Sequence, residues 1–303
     1  MQAVAMSIDM NMAARFLTAH GRLIDRRRFV ATVGRPNPED RRAVLAALDG
    51  YCNPDGGFGW GLEPDCRAPE SQPAGALHAL EAIGDAGPEG YEGVDGLLAW
   101  LDRTTLADGG LPFALPIADP MGCAPFWANA DPRQSSLQIT AAVVAQALRV
   151  AAFDDRVRSH PWLERATGFC LSAVEAIDEQ PPAYVLSFAL GFLDAASATV
   201  PRASDLLAQL GRYVPADGRL AVEGGAEGET LRLLDIAPRP GRPVRSLLSQ
   251  AAVEADLDRL ASGQQDDGGW TVDFESYSPR AALDWRGYVT VSAIAVLRDN
   301  GRV

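Results

Sequence analysis

Apolar residues recur along this chain at three- and four-residue spacing, in stretches broken by polar, glycine-rich loops; the pattern is helical rather than alternating. Val44, Leu45 and Leu48 form one such stripe, behind the acidic first turn Pro38-Glu39-Asp40, and it stops at Gly50. Leu77, Leu80 and Ile83 form the next, opened by Ser71-Gln72-Pro73 with Ser71 as the expected N-cap, and ended by Gly84. The pair reads as an outer and an inner helix. The same plan predicts Val94–Leu101 with Ser135–Val150, Trp162–Ile177 with Tyr184–Ala195, a short polar Glu229–Ile236 after Ala203–Tyr213, and Ala251–Ser262 with Tyr288–Arg298. Ahead of these lie a helix at Asn11–His20, an Arg-rich turn and a short piece around Phe29–Val33.

A turn signature marks the period. DGGFGWG, DGGLPF, DGRLAV and DGGWTV begin at Asp55, Asp108, Asp217 and Asp267, at intervals of 53, 109 and 50 residues, so one copy is lost near Gln180-Pro181-Pro182. One helical pair cannot bury its own apolar stripe, and successive pairs must stack into a solenoid or close into a ring. Five pairs and the N-terminal helix make about six, enough to close. The expected fold is therefore all-α, an α/α toroid of nested hairpins. It forms one domain over 1–303, with 1–35 packing on the ring or completing it.

Composition narrows the partners. The chain carries 40 acidic and 27 basic residues, net −13, and every basic residue is Arg. Such a surface disfavours nucleic acid, and the only basic run, Arg26–Arg28, reads as a solvated face. Cys52, Cys66, Cys123 and Cys170 form no CxxC pair, and no signal-like leader is seen, which suggests a reduced, cytoplasmic protein. No apolar run is long enough to span a bilayer; peripheral membrane contact stays open.

Some stretches look familiar. QQDDGGW at Gln264–Trp270, followed by WRGYVTVSAIAVL at Trp285–Leu297, resembles the glutamine-tryptophan repeat of squalene and hopene cyclases and of protein prenyltransferase β-subunits. GGFGWGLEPDCRAPESQPAGALHAL at Gly56–Leu80 is similar to the corresponding Gly-Gly-Phe-Gly repeat. The resemblance implies a toroid working in a central apolar cavity at the N-terminal ends of its inner helices. On physical grounds alone, the glycines serve a loop that reverses direction, and Phe58 and Trp270 plug the helix ends.

The motifs that carry chemistry in that superfamily are missing. There is no DxDD; Asp154-Asp155 lacks the third acid of a DDxxD and reads as solvated. Asp65 and Cys66 are adjacent rather than spaced as in a zinc-binding DxC, and His20, His78 and His160 form no ligand pattern. Neither metal nor cofactor is expected. Acids do cluster near inner-helix starts, where the macrodipole favours them for capping. A carboxyl facing an apolar cavity can instead hold a proton and act as general acid. Asp65 and Glu63, in one rigid Glu-Pro-Asp loop, are the first candidates for that role, and Asp284 is the next. Trp60, Trp127, Asp131, Gln134, Trp285 and Tyr288 are the candidate substrate-binding residues, the rings offering π faces to a cation and competing with plain core roles.

The expected function is proton-initiated cyclisation of a linear isoprenoid. The alternative is a non-catalytic toroid that binds a hydrophobic ligand or a protein partner, as a prenyltransferase subunit or a homodimer would. A carbohydrate-active α/α barrel, which also uses paired carboxylates, ranks last.

Overall fold

Prolines and short polar side chains open nearly every helix of this protein, whose computed structural model describes residues 8–34 and 36–303. Asp9 caps α1 (Met10–His20), and Asn37 caps α3 (Pro38–Leu48), where Asp40 returns the bond in a capping box. Between them α2 spans Leu23–Val33. The next elements are α4 (Pro73–Ala86), α5 (Val94–Thr104), the single turn α6 (Pro125–Ala128) and α7 (Leu137–Ala151), capped by Ser136. They are followed by α8 (Asp155–Ser159), α9 (Pro161–Glu175), α10 (Ala183–Ala196) and α11 (Pro201–Leu210). The short strands β1 (Leu220–Ala221) and β2 (Thr230–Leu231) pair antiparallel. Finally α12 (Leu233–Ile236), α13 (Gln250–Ala261) and α14 (Pro279–Asp299) complete the described chain.

The protein is thus predominantly helical, built of outer and inner helices in alternation. Inner helices pack side by side in the order α2, α4, α7, α10, and α14 packs back on α2 and α1. Helix α7 shows why: Ile139, Ala141, Val143, Val144, Ala147 and Val150 are buried, because α4 and α10 flank it and α9 backs it. Burying each large aliphatic side chain contributes roughly 1.5–3 kcal/mol, so no exposed arrangement of this helix competes. One core runs from α2 through α11, and a second lies among α12, α13, α14 and Ala13 of α1.

The Asp-Gly-Gly loops join neighbours by one recurring device. Asp55 Oδ1 accepts from Gly57 N (2.9 Å) and Ser71 Oγ (2.7 Å); Asp108 Oδ1 accepts from Gly110 N (3.0 Å) and Ser135 Oγ (2.6 Å). Each first glycine has positive φ and lies against the outer helix of the next unit, where a side chain would collide. A Cβ on Gly56 would fall 2.4 Å from Gly96 O in α5, and one on Gly109 would fall 2.9 Å from Arg165 O in α9. The last loop does the same to α1: a Cβ on Gly268 would fall 2.3 Å from Met12 O. Phe58 and Trp270 are buried at the helix ends, Trp270 donating Nε1 to Leu260 O at 2.8 Å.

Several elements differ from expectation. Ser71 does not cap α4, whose N-cap is Gln72; its hydroxyl ties back to Asp55 instead. Helix α2 covers all of the expected Arg-rich turn, and Arg28 is buried rather than solvated, because Asp85 of α4 pairs with it at 2.8 Å. Helix α14 starts nine residues before Tyr288, so Asp284 lies inside it rather than before it. Asp154 is buried, capping α8 and pairing with Arg156 at 2.8 Å, while Asp155 is exposed. In the fourth unit the inner helix expected at Glu229–Ile236 is cut to the single turn α12, because Thr230 and Leu231 pair with β1 instead.

Candidate functional site

Loop 61–68 turns inward between the first Asp-Gly-Gly loop and α4, burying Leu62, Glu63, Asp65 and Cys66. A buried loop must find partners for its backbone. Arg22, the N-cap residue of α2, donates NH1 to Gly61 O (3.3 Å) and Leu62 O (2.8 Å), while its Nε and NH2 grip Asp25 at 2.8 and 3.0 Å.

The two carboxyls of this loop go different ways. Glu63 accepts Asp65 N at 3.0 Å and meets His78 Nε2 at 2.9 Å. On the other side of the ring His78 Nδ1 meets Glu81 at 2.8 Å, and Glu81 accepts from Tyr288 OH at 3.0 Å. With an acceptor on each nitrogen, the imidazole carries both protons. Burial works against the imidazolium, but Glu81 and then Glu63 outweigh it and push its pKa up to about 9. Burial also opposes the charge on Glu81, yet His78, followed by Arg28 and Tyr288, holds its carboxyl below the usual range. Arg28 stacks 5.2 Å over the Tyr288 ring and shares Asp85 with Arg149 at 2.8 and 2.7 Å.

Asp65 meets an indole and a backbone amide rather than a cation. Its Oδ2 accepts from Trp285 Nε1 at 2.7 Å and its Oδ1 from Tyr277 N at 3.1 Å. Burial raises its pKa, and those two donors pull the other way without cancelling the rise. Tyr277 meets Phe126 edge-on at 5.6 Å, and Trp127 lies flat on Phe113 at 4.5 Å. Phe126 and Tyr277 are each about half exposed, making an aromatic ledge on the loops that flank the acid. The Trp127 Nε1 is buried without a partner among the described residues.

Beyond Asp65 the loop borders a cleft of about 240 Å³ between α2 and the start of α14. Arg26, Arg67 and Arg280 converge there with Tyr51, Trp60 and Asp284. Asp284, fully buried, takes Arg67 NH1 at 2.7 Å and has Arg280 NH2 2.8 Å from its other oxygen. These walls are polar, unlike the apolar cavity expected.

Among the expected residues, Glu63, Asp65, Trp285 and Tyr288 come together in one network, and Trp127 lies outside it, beyond Phe126 and Tyr277. Asp284 and Trp60 line the cleft. Glu63 and Asp284 each pair with a cationic side chain, whereas Asp65 has no cationic partner among the described residues. Asp131 and Gln134 belong elsewhere: both are exposed on a loop where Asp131 is occupied by Arg133 at 3.0 Å. Sequence reasoning missed His78, Glu81, Arg28, Arg67 and Arg280. The three-residue spacing of His78 and Glu81 on one helix face was the only local signal.

The fold and this end of the molecule define an all-helical protein of repeated hairpins with a polar site at its loop end. A protein from Actinoplanes, known from its crystal structure, shares the fold over 98% of each chain, with 17% identity and a TM-score of 0.56. No family model matches the sequence, and no curated protein does.

Proposed function

We propose that this chain is a closed ring of helical hairpins that acts on a linear isoprenoid at its loop end, with Asp65 as the proton donor. The observation that carries the reading is a buried carboxyl, its pKa raised, held by the Trp285 indole and by the backbone of Tyr277, whose ring pairs with Phe126. The proton passes from Asp65 to an alkene or epoxide carbon or oxygen. The carboxylate left behind is met by two donors already in place, the Trp285 indole and the Tyr277 amide. The ledge rings offer π faces to the carbocation. Glu63, held by His78, positions Asp65 through its backbone N–H. Closure of the ring is supported by the last Asp-Gly-Gly loop seating on α1 as the earlier loops seat on α5 and α9.

Incubation of purified protein with linear isoprenyl diphosphates, squalene and their epoxides is expected to give cyclic products, and Asp65→Asn to lower the rate at least about a hundredfold. Folded protein that turns over nothing in that panel removes the reading.

A second reading, binding of a hydrophobic ligand or a protein partner without conversion, is favoured by one observation. Both Asp65 oxygens already accept hydrogen bonds, as they would in a bracing role. Native mass spectrometry that finds a bound, unaltered lipid or a second chain supports it.

A further inference from the structure

We propose that the cleft between α2, loop 60–67 and the start of α14 is a binding site for a compact dianion, a phosphomonoester or a dicarboxylate. Charge is the first reason. Three guanidinium groups, Arg26, Arg67 and Arg280, face a single carboxylate, Asp284, in a chain of net charge −13. The neighbouring Arg22 does not add to this surplus, because Asp25 and two carbonyls take its donors. A pool of positive charge on an otherwise acidic protein focuses anions.

The second reason is unspent hydrogen-bonding capacity. Arg67 uses NH1 on Asp284, and Arg26 uses Nε on Gly21 O at 2.9 Å. Among the described residues Arg26 has no carboxylate partner. A planar guanidinium presents its remaining N–H groups in pairs, the geometry that matches the oxygens of phosphate or carboxylate. Arg67 is held ready: Gly122 lies against its stem, where a Cβ would sit 3.4 Å from it, and Gly61 leaves room for its head group. A donor fixed in advance loses less entropy on binding.

The third reason is strain. Trp60 has φ 58°, the one positive φ outside glycine among the described residues, and the residue is 56% exposed. A bulky residue in the left-handed region is disfavoured, and an exposed ring recovers little by burial. The conformation is kept by Trp60 N donating to Ala68 O (2.9 Å) and Nε1 donating to Asn53 Oδ1 (2.8 Å). Its effect is to stand a flat ring at the rim of the arginine cleft, where the carbon part of an anion would pack. The volume, about 240 Å³, admits an anionic head and a few carbons but no long hydrocarbon chain. The site therefore stands apart from the isoprenoid reading of Asp65.

The test is calorimetric titration of the whole protein with inorganic phosphate and with succinate at low ionic strength, with sodium chloride as the control. Saturable binding of either dianion, weakened about tenfold by Arg26→Gln and again by Arg280→Gln, supports the site. Binding of phosphate alone assigns a phosphomonoester, and binding of succinate alone a dicarboxylate. Arg26→Gln breaks no ion pair to a described residue, so circular dichroism should find it folded. Asp65→Asn should bind both anions unchanged, which separates this result from the fate of the cyclase reading. Heat no greater than with chloride, or binding indifferent to both arginine substitutions, overturns the proposal.

Discussion

Replacing His78 with Gln removes the cation that stands between Glu63 and Glu81, and its effect on stability is calculable from the geometry. The imidazole goes from the ordinary pKa of 6.5 in the unfolded chain to about 9 in the folded one. At roughly 1.4 kcal/mol per tenfold change in proton affinity, the folded state gains about 3 kcal/mol from this group. Because the folded value is the higher one, that gain is fully present below pH 6.5 and disappears as pH rises through 9. Wild-type protein should therefore lose up to about 3 kcal/mol of unfolding free energy between pH 6.5 and 9, beyond whatever other groups contribute. His78→Gln should be destabilised by about 3 kcal/mol at pH 6.5, the scale expected when one partner of a buried pair is removed. By pH 9 the two proteins should nearly converge. Urea unfolding followed by circular dichroism at both pH values gives the comparison, and other titrating groups cancel in the difference. Equal pH slopes for the two proteins would show that His78 is not charged between its carboxylates.

Two further outcomes rest on neighbouring features. Trp60→Asn, which tolerates a left-handed backbone, should raise stability by about 1 kcal/mol through relief of strain while weakening dianion binding; a lower melting temperature refutes the account. Cys66 and Cys123 face each other across an isolated antiparallel bridge in its non-hydrogen-bonded register, since Ala124 N donates to Asp65 O at 2.8 Å. Such pairs place their Cα atoms about 4.5 Å apart, within disulfide range. Oxidised glutathione should therefore link them, the two thiols giving up two hydrogens as glutathione disulfide leaves as two thiols. Burial, and then Cys123 itself, push the Cys66 thiol up, so the reaction should be slow. Peptide mapping that still finds both cysteines alkylated after prolonged exposure refutes the pairing.

The helices that the sequence predicts well are those whose stripes are uninterrupted. The turns of α3, α4, α7 and α10 carry apolar residues at helical spacing, and the Asp-Gly-Gly loops punctuate them. Helix α2 and the first turns of α14 are obscured because their buried faces carry Arg22, Asp25, Arg28 and Asp284, which read as surface until their partners are known. The site was partly legible for a related reason. The Glu-Pro-Asp loop and the aromatic start of α14 stand out locally as groups seeking partners. Which partner each finds is not a local property: Trp285 reaches Asp65 across 220 residues and Arg67 reaches Asp284 across 217. Such juxtapositions come from the packing of hairpins, and no spacing rule encodes them. The same limit explains the apolar cavity that was expected beside these acids; the arginines that fill that role in charge come from three separate elements.

The seating of the Gly268 loop on α1 has a consequence for how the molecule is made. Asp9 N bonds to Gln264 Oε1 across 255 residues, whereas the equivalent seam between Gly56 and Gly96 forms between near neighbours. In loop-closure entropy the long seam costs only about 1.6 kcal/mol more, since each doubling of length adds about 0.6. The difference in timing is much larger. On the ribosome the early hairpins can settle as they emerge, while α1 must wait for the partner 255 residues further along to be translated. The newborn chain therefore passes through an interval in which the surface of α1 that seats this loop is open to chaperones or to a sister chain.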